Sequence, residues 1–273
     1  MFQNKIAVSS ADNAPKTAPI LLTGDICGNL IHAAGLGYDA IEIHTRENAA
    51  INFDEILKTC KDYHIGISAV VSGRLAVQEN VSMTDTSMAN MEKAMEGMVK
   101  YIDIAASLQT DLIIGWIRGK IAQQYSPREY YKIFAENLKQ LIPAAQKKNV
   151  KLHIECINRY EINSFNSAQE TLEFLDTYAL ENVFVHLDTF HMNIEEADIP
   201  KAIAACKDKL GYMHFADSNR WYPGYGHIDF APIFEAMAKI QYEGYLSVEC
   251  LPNPTGEEAA KNALKFIKTY FNK

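Results

Sequence analysis

The sequence predicts an α/β fold, a (β/α)8 TIM barrel forming a single domain over residues 1–273. Three observations predict it. Short β-rich runs alternate with helical stretches eight times along the chain, the pattern of parallel strands joined by crossover helices. The 273 residues match the roughly 250 that one such barrel takes. Four consecutive apolar runs in the second half each end in a side chain able to ligate a metal, at Glu155, Asp188, His214 and Glu249. Those ends are spaced by roughly 30 residues, about one strand–helix repeat. In a parallel barrel the strand C-termini converge on one face, and active sites lie there.

The expected elements follow in order. Residues 5–9 form the first strand, and a loop with Pro15 and Pro19 leads to a helix over 25–34, stopped by Gly35 and Gly37. Residues 39–43 and 65–71 are strands flanking a helix over 53–63. A polar loop covers 72–86, followed by a long helix over 87–108. Its residues Met91, Met95, Met98, Ile102 and Ala105 recur at spacings of three and four, so they are assigned to core packing. Residues 111–115 are the fourth strand. Ser126 and Pro127 open the next helix, with serine as cap and proline at the first helical position. The last four strands are 151–155, 183–188, 211–214 and 245–249, with helices over 167–178, 199–208, 230–240 and 257–271. No glycine-rich nucleotide loop follows the first strand, and no Walker-type loop occurs.

Composition narrows the function. A net charge of −8 disfavours a nucleic-acid or anionic-membrane partner. Five cysteines, an odd number without a C-x-x-C pair, read as reduced thiols. The start of the chain lacks a basic segment followed by an apolar run, and no apolar stretch nears the roughly 18 residues of a membrane span. The expectation is a cytoplasmic protein.

Three carboxylates and one imidazole make an oxygen-rich set with a single nitrogen. Such a set suits Mn²⁺, Mg²⁺ or Co²⁺ better than structural Zn²⁺, which prefers sulfur and nitrogen. The loops after these ligands are polar and are expected to carry substrate contacts.

The runs Ile154-Glu-Cys-Ile-Asn-Arg-Tyr-Glu161, Leu187-Asp-Thr-Phe-His-Met-Asn-Ile-Glu-Glu196, His214-Phe-Ala-Asp-Ser-Asn-Arg220 and Leu246-Ser-Val-Glu-Cys250 carry a resemblance. Over residues 150–252 the chain resembles the ketose 3-epimerases of D-tagatose and D-psicose, within the xylose isomerase-like TIM barrels; the first half resembles them only as a barrel of the same kind. The resemblance implies a divalent metal, Mn²⁺ first, held by Glu155, Asp188, His214 and Glu249. It implies that Glu155 and Glu249 also exchange protons with the substrate, and that Glu161, His191 and Arg220 bind sugar oxygens. It implies a small sugar substrate and a homo-oligomer, dimer or tetramer.

Epimerisation next to a carbonyl needs a proton removed on one face and returned on the other, with the enediolate stabilised between. The expected activity is therefore that of a metal-dependent isomerase, an epimerase of a ketose or keto-sugar acid. The rival readings are an aldose–ketose isomerase, a C-glycoside deglycosidase subunit that needs a small partner, and a non-catalytic sugar-binding protein. Arg118, at the end of the fourth strand, is expected to clamp a substrate carboxylate, a task that suits a planar guanidinium; Arg74 is a possible second arginine. With the segments around Asp198 and Arg220, this resembles the 5-keto-L-gluconate epimerase branch. Trp116, Trp221, Tyr222 and Tyr225 are candidates to wall a sugar. His32, His44, His64, His153, His186 and His227 read as ordinary histidines, the alternative being that His153 and His186 point into the barrel and His227 supports the ligands.

Overall fold

The computed structural model describes residues 4–271. Its sheet closes on itself through eight parallel strands. These are β1 (Ile6–Ala11), β3 (Ala40–His44), β4 (Gly66–Val71), β5 (Asp111–Ile114), β6 (Leu152–Glu155), β7 (Val183–Asp188), β8 (Leu210–Phe215) and β9 (Leu246–Val248). Closure comes from β1 against β9, with Ile6 beside Leu246 and Val8 beside Val248. The two-residue β2 (Leu22–Thr23) adds alongside Ser10 and Ala11 and takes no part in closing the barrel.

The helices between strands are α1 (Ile26–Leu36), α2 (Phe53–Tyr63), α3 (Gly73–Glu79), α4 (Met88–Ser107), α5 (Pro127–Lys147), α6 (Ala168–Thr177), α7 (Thr189–Glu195), α8 (Ile199–Cys206), α9 (Phe230–Lys239) and α10 (Gly256–Lys268). Their starts are written locally. Ser126 accepts from the Glu129 backbone while the Glu129 side chain accepts from Ser126, a complete capping box ahead of α5. Asp25, Asn52, Ser167 and Thr255 cap α1, α2, α6 and α10 in the simpler way.

Three differences from the sequence expectation have physical causes. The first strand continues to Ala11, because β2 and β3 both offer it partners there. The polar stretch 72–86 holds α3, whose Leu75 is buried against α4 at Gly97. A Cβ at Gly97 would stand 2.2 Å from a Leu75 methyl, so glycine is what lets the two helices approach. Finally, α7 starts directly after β7, capped by the Asp188 carboxylate on the Phe190 N–H. The methionine stripe of α4 packs as expected at Met98, Ile102 and Ala105, while Met91 and Met95 are half-buried.

The main core lies between the strands and the helix shell. A separate small cluster of Ala69, Val71, Ile113 and Tyr212 fills the barrel interior. All five cysteines are free. Among the described residues no helix is long and apolar enough to cross a membrane.

Candidate active site

Strand register brings the four expected ligands together. Asp188 on β7 pairs with His214 on β8, Glu155 closes β6, and Glu249 follows β9 by one residue. Donor atoms of Glu155, Asp188, His214 and Glu249 all lie within 4.8 Å of one another, and all four residues are buried. His214 Nδ1 sits between the two glutamates, 3.4 Å from Glu155 Oε1 and 3.6 Å from Glu249 Oε2.

Their donor atoms fit a cation. Asp188 Oδ2, His214 Nδ1 and Glu249 Oε2 are buried without a hydrogen-bond partner. Unpaired polar atoms at such depth are costly, and converging carboxylates repel unless a positive charge stands among them. One imidazole and three carboxylates would hold a hard or borderline divalent cation.

Electrostatics separate the two glutamates. Burial and the neighbouring Glu155 charge push the Glu249 carboxyl up to about 8, against the opposing pull of His214 and Arg220. Burial also acts to raise Glu155, but the close approach of His214 and the charges of the surrounding imidazoles outweigh it and hold the group well below the usual carboxylate range. His214 is raised well above an ordinary histidine, since the Glu42, Glu249 and Glu155 carboxylates overcome its burial.

Glu161, His191 and Arg220, the expected sugar contacts, form one network at the mouth. Arg220 Nη1 donates to Glu161 Oε1 at 2.8 Å, its Nη2 lies 3.7 Å from Glu249 Oε2, and its guanidinium lies 4.9 Å from the Phe190 ring centroid. His191 Nε2 is 3.7 Å from Asp188 Oδ2. Asn158 joins the group, donating to Glu161 Oε1 at 3.1 Å and lying 2.7 Å from His191 Nδ1.

Arg118 is a correction. It is fully buried in a 3₁₀ turn after β5. Its guanidinium donates to the carbonyls of Gly115 at 3.0 Å and Ser164 at 3.1 Å and lies 5.6 Å from the Phe165 ring centroid. The 3₁₀ turn folds the side chain into the wall between two loops, where it is buried and braces backbone instead of standing open at the mouth. Arg74 is likewise engaged, pairing with Asp12 and the Asn13 backbone and side chain.

His186 does point inward, with its ring edge-on to His214 at 4.1 Å. His153 reaches Asp111 at 3.1 Å, whereas His227 pairs with Ser218 rather than with a ligand. Trp221 and Tyr225 stack on each other at 4.4 Å.

Two residues of the centre were missed by sequence reasoning. Glu42 on β3 is fully buried, 2.7 Å from His214 Nε2 and 2.8 Å from His44 Nε2. The available signal was a carboxylate between Ile41 and Ile43 inside a strand, where a charged side chain needs a partner.

The chain is similar to known sugar epimerases. An L-ribulose 3-epimerase from Methylomonas sp. (strain DH-1) is 32% identical over 234 residues, 85% of this chain and 80% of the relative. A D-psicose 3-epimerase from Ruminiclostridium cellulolyticum is 32% identical over 228 residues, 79% of this chain and 75% of the relative. A crystal structure of D-allulose 3-epimerase from Methylomonas sp. in complex with D-allulose superposes with a TM-score of 0.82 at 28% identity, covering 98% of each chain. Residues 30–270 match the xylose isomerase-like TIM barrel family, and with relatives of this kind along most of its length the chain belongs to that family and is an isomerase.

Proposed function

We propose that the protein is a divalent-metal-dependent 3-epimerase of a ketose. One observation carries the reading: two buried glutamates flank a single imidazole nitrogen at 3.4 and 3.6 Å, and their surroundings drive their proton affinities apart. Acid and base of the same residue type, separated by environment, are what a proton removal and return requires.

Glu155, Asp188, His214 and Glu249 would hold the cation, Mn²⁺ in the first instance with Mg²⁺ or Co²⁺ as alternatives. When bound, it supplies Lewis-acid stabilisation of the negative charge that develops on the substrate oxygens. Of the pair, Glu155 is the one held ionised and so free to take a proton from the carbon beside the carbonyl, giving an enediolate. Glu249, which keeps its proton, returns it to the opposite face, and the reverse reaction exchanges their roles. Arg220 and His191 hold sugar oxygens, and Glu161 fixes Arg220 through its 2.8 Å contact.

The substrate is a neutral ketose rather than a keto-sugar acid. Of the features behind the acid reading, Arg118 is committed to two backbone carbonyls and Arg74 to Asp12 and Asn13. The ribulose and psicose epimerases among the relatives support the same choice. The reading includes a cytoplasmic enzyme acting as a homo-oligomer, dimer or tetramer.

The test is a Mn²⁺-supplemented screen of neutral ketoses in D₂O. Inversion should come with one solvent deuterium at the inverted carbon. Inversion without any exchange, or turnover confined to keto-gluconates, would overturn the proposal.

A further inference from the structure

We infer that Glu42 and His44 form a positioning pair beneath the acid–base centre, in which one carboxylate fixes both the cation-facing nitrogen of His214 and the neighbour of Glu249. The inference rests on the metal-dependent reading above. Side chains two apart on a strand point the same way, so Glu42 and His44 both reach into the barrel from β3. Both oxygens of the buried Glu42 are engaged: Oε2 lies 2.7 Å from His214 Nε2, and Oε1 lies 2.8 Å from His44 Nε2.

The first contact selects a tautomer. A carboxylate at Nε2 accepts a hydrogen bond from that nitrogen and so keeps the ring proton there, which leaves the lone pair of His214 on Nδ1, the atom between Glu155 and Glu249. The second contact works on Glu249. His44 Nε2 stands 3.8 Å from Glu249 Oε1, while Glu249 Oε2 turns toward His214. His44 therefore borders the Glu249 oxygen that faces away from the ligand nitrogen, the one left for proton exchange with substrate.

The same atoms have a rival use. Glu42, His44 and Glu249 could hold a second cation, since their donor atoms also lie within 4.8 Å of one another. The geometry argues against it. Each Glu42 oxygen already faces an imidazole nitrogen, whereas the buried carboxylate oxygens without partners, Asp188 Oδ2 and Glu249 Oε2, belong to the four-residue set.

Calorimetric titration of chelator-stripped protein with MnCl₂ tests the pair. Wild type should bind one Mn²⁺ per chain, and Glu42→Gln should weaken that binding by about 10- to 100-fold. Glu42→Asp, which keeps the charge but withdraws it by one methylene, should also weaken it and serves if the glutamine variant does not fold. His44→Asn should leave Mn²⁺ affinity unchanged and lower kcat by about 10- to 100-fold with KM little altered. Two Mn²⁺ per wild-type chain, falling to one in Glu42→Gln, would overturn the inference in favour of the second cation. Unchanged Mn²⁺ affinity in a folded Glu42 variant would also overturn it. The titration uses no substrate, so a chain that binds Mn²⁺ as described but inverts no ketose would overturn the functional proposal and leave the role of Glu42 toward His214 standing.

Discussion

Glu249→Gln is expected to stabilise the metal-free protein while removing its turnover. The folded state pushes the Glu249 carboxyl from an ordinary 4.5 up to about 8, chiefly through burial and the Glu155 charge. The native protein therefore holds this proton more tightly than the unfolded chain, and stability falls as pH rises from 4.5 toward 8. At pH 7 the protein has crossed about 2.5 units of that window, and at about 1.36 kcal/mol per unit the penalty is on the order of 3 kcal/mol. Glutamine has nearly the same shape and carries no charge to desolvate, so it relieves most of that penalty. The variant also loses the proton donor of the pair, and such groups contribute about 10²–10⁴-fold to rate. Urea unfolding of chelator-stripped protein at pH 5 and pH 7.5 measures the first effect, and polarimetry on the Mn²⁺-loaded enzyme measures the second. The variant should gain over wild type at pH 7.5 and much less at pH 5, with kcat down by at least about 10²-fold. A metal-free variant less stable than wild type at pH 7.5 would refute the electrostatic account. Activity within about tenfold of wild type would refute the role of Glu249.

Three further outcomes are expected. Mn²⁺ at a hundred times its Kd should stabilise the chelator-stripped protein by about 2.7 kcal/mol, read as a rise in Tm; no shift would argue against a cation at the four ligands. Arg118→Met removes the donor to Gly115 and Ser164 and should cost about 3 kcal/mol in urea unfolding, with the turnover ratio of neutral ketoses to keto-gluconates unchanged; selective loss on the acids would restore the clamp. Burial acts to raise Asp111, but the His153 contact and the Lys151 backbone N–H outweigh it and hold the group below its ordinary 3.8. The stability this charge contributes is present above 3.8 and is lost as pH falls through the lower folded value. Asp111→Asn should therefore be less stable than wild type at pH 7, with the gap narrowing near pH 3; a pH-independent gap would contradict this.

The ligand strands were legible because barrel geometry turns a strand end into a position at the mouth. An apolar run ending in Glu155 or Asp188 thus reports both an element and a site. Arg118 misled for a related reason. It too follows a strand, but the 3₁₀ turn over Trp116–Arg118 reverses the chain, and such a reversal depends on tertiary partners such as the Ser164 carbonyl that no local pattern shows. Glu42 escaped because it lies in mid-strand, and its partner His214 is far along the chain. The alternation that makes β3 a strand says only that Glu42 shares a face with His44, not that the face is the interior.

The same alternation ties the site to the barrel beneath it. Two residues before each ligand stands another inward side chain: His153, His186, Tyr212 and Ser247, all nearly or fully buried. An ordinary barrel fills such layers with branched apolar residues. Here His186 and Tyr212 pack edge-on against the His214 ring at 4.1 and 5.6 Å, and Tyr212 is bonded to Ser68 at 2.7 Å. A polar layer sacrifices stability, since buried polar groups gain little over apolar ones even when paired. What it provides is directional contact under the ligands, where a purely apolar layer could let the His214 ring rotate. Glu42 is the charged member of this interior, and it completes the hold on His214 at the one ring nitrogen that the four-residue set leaves free.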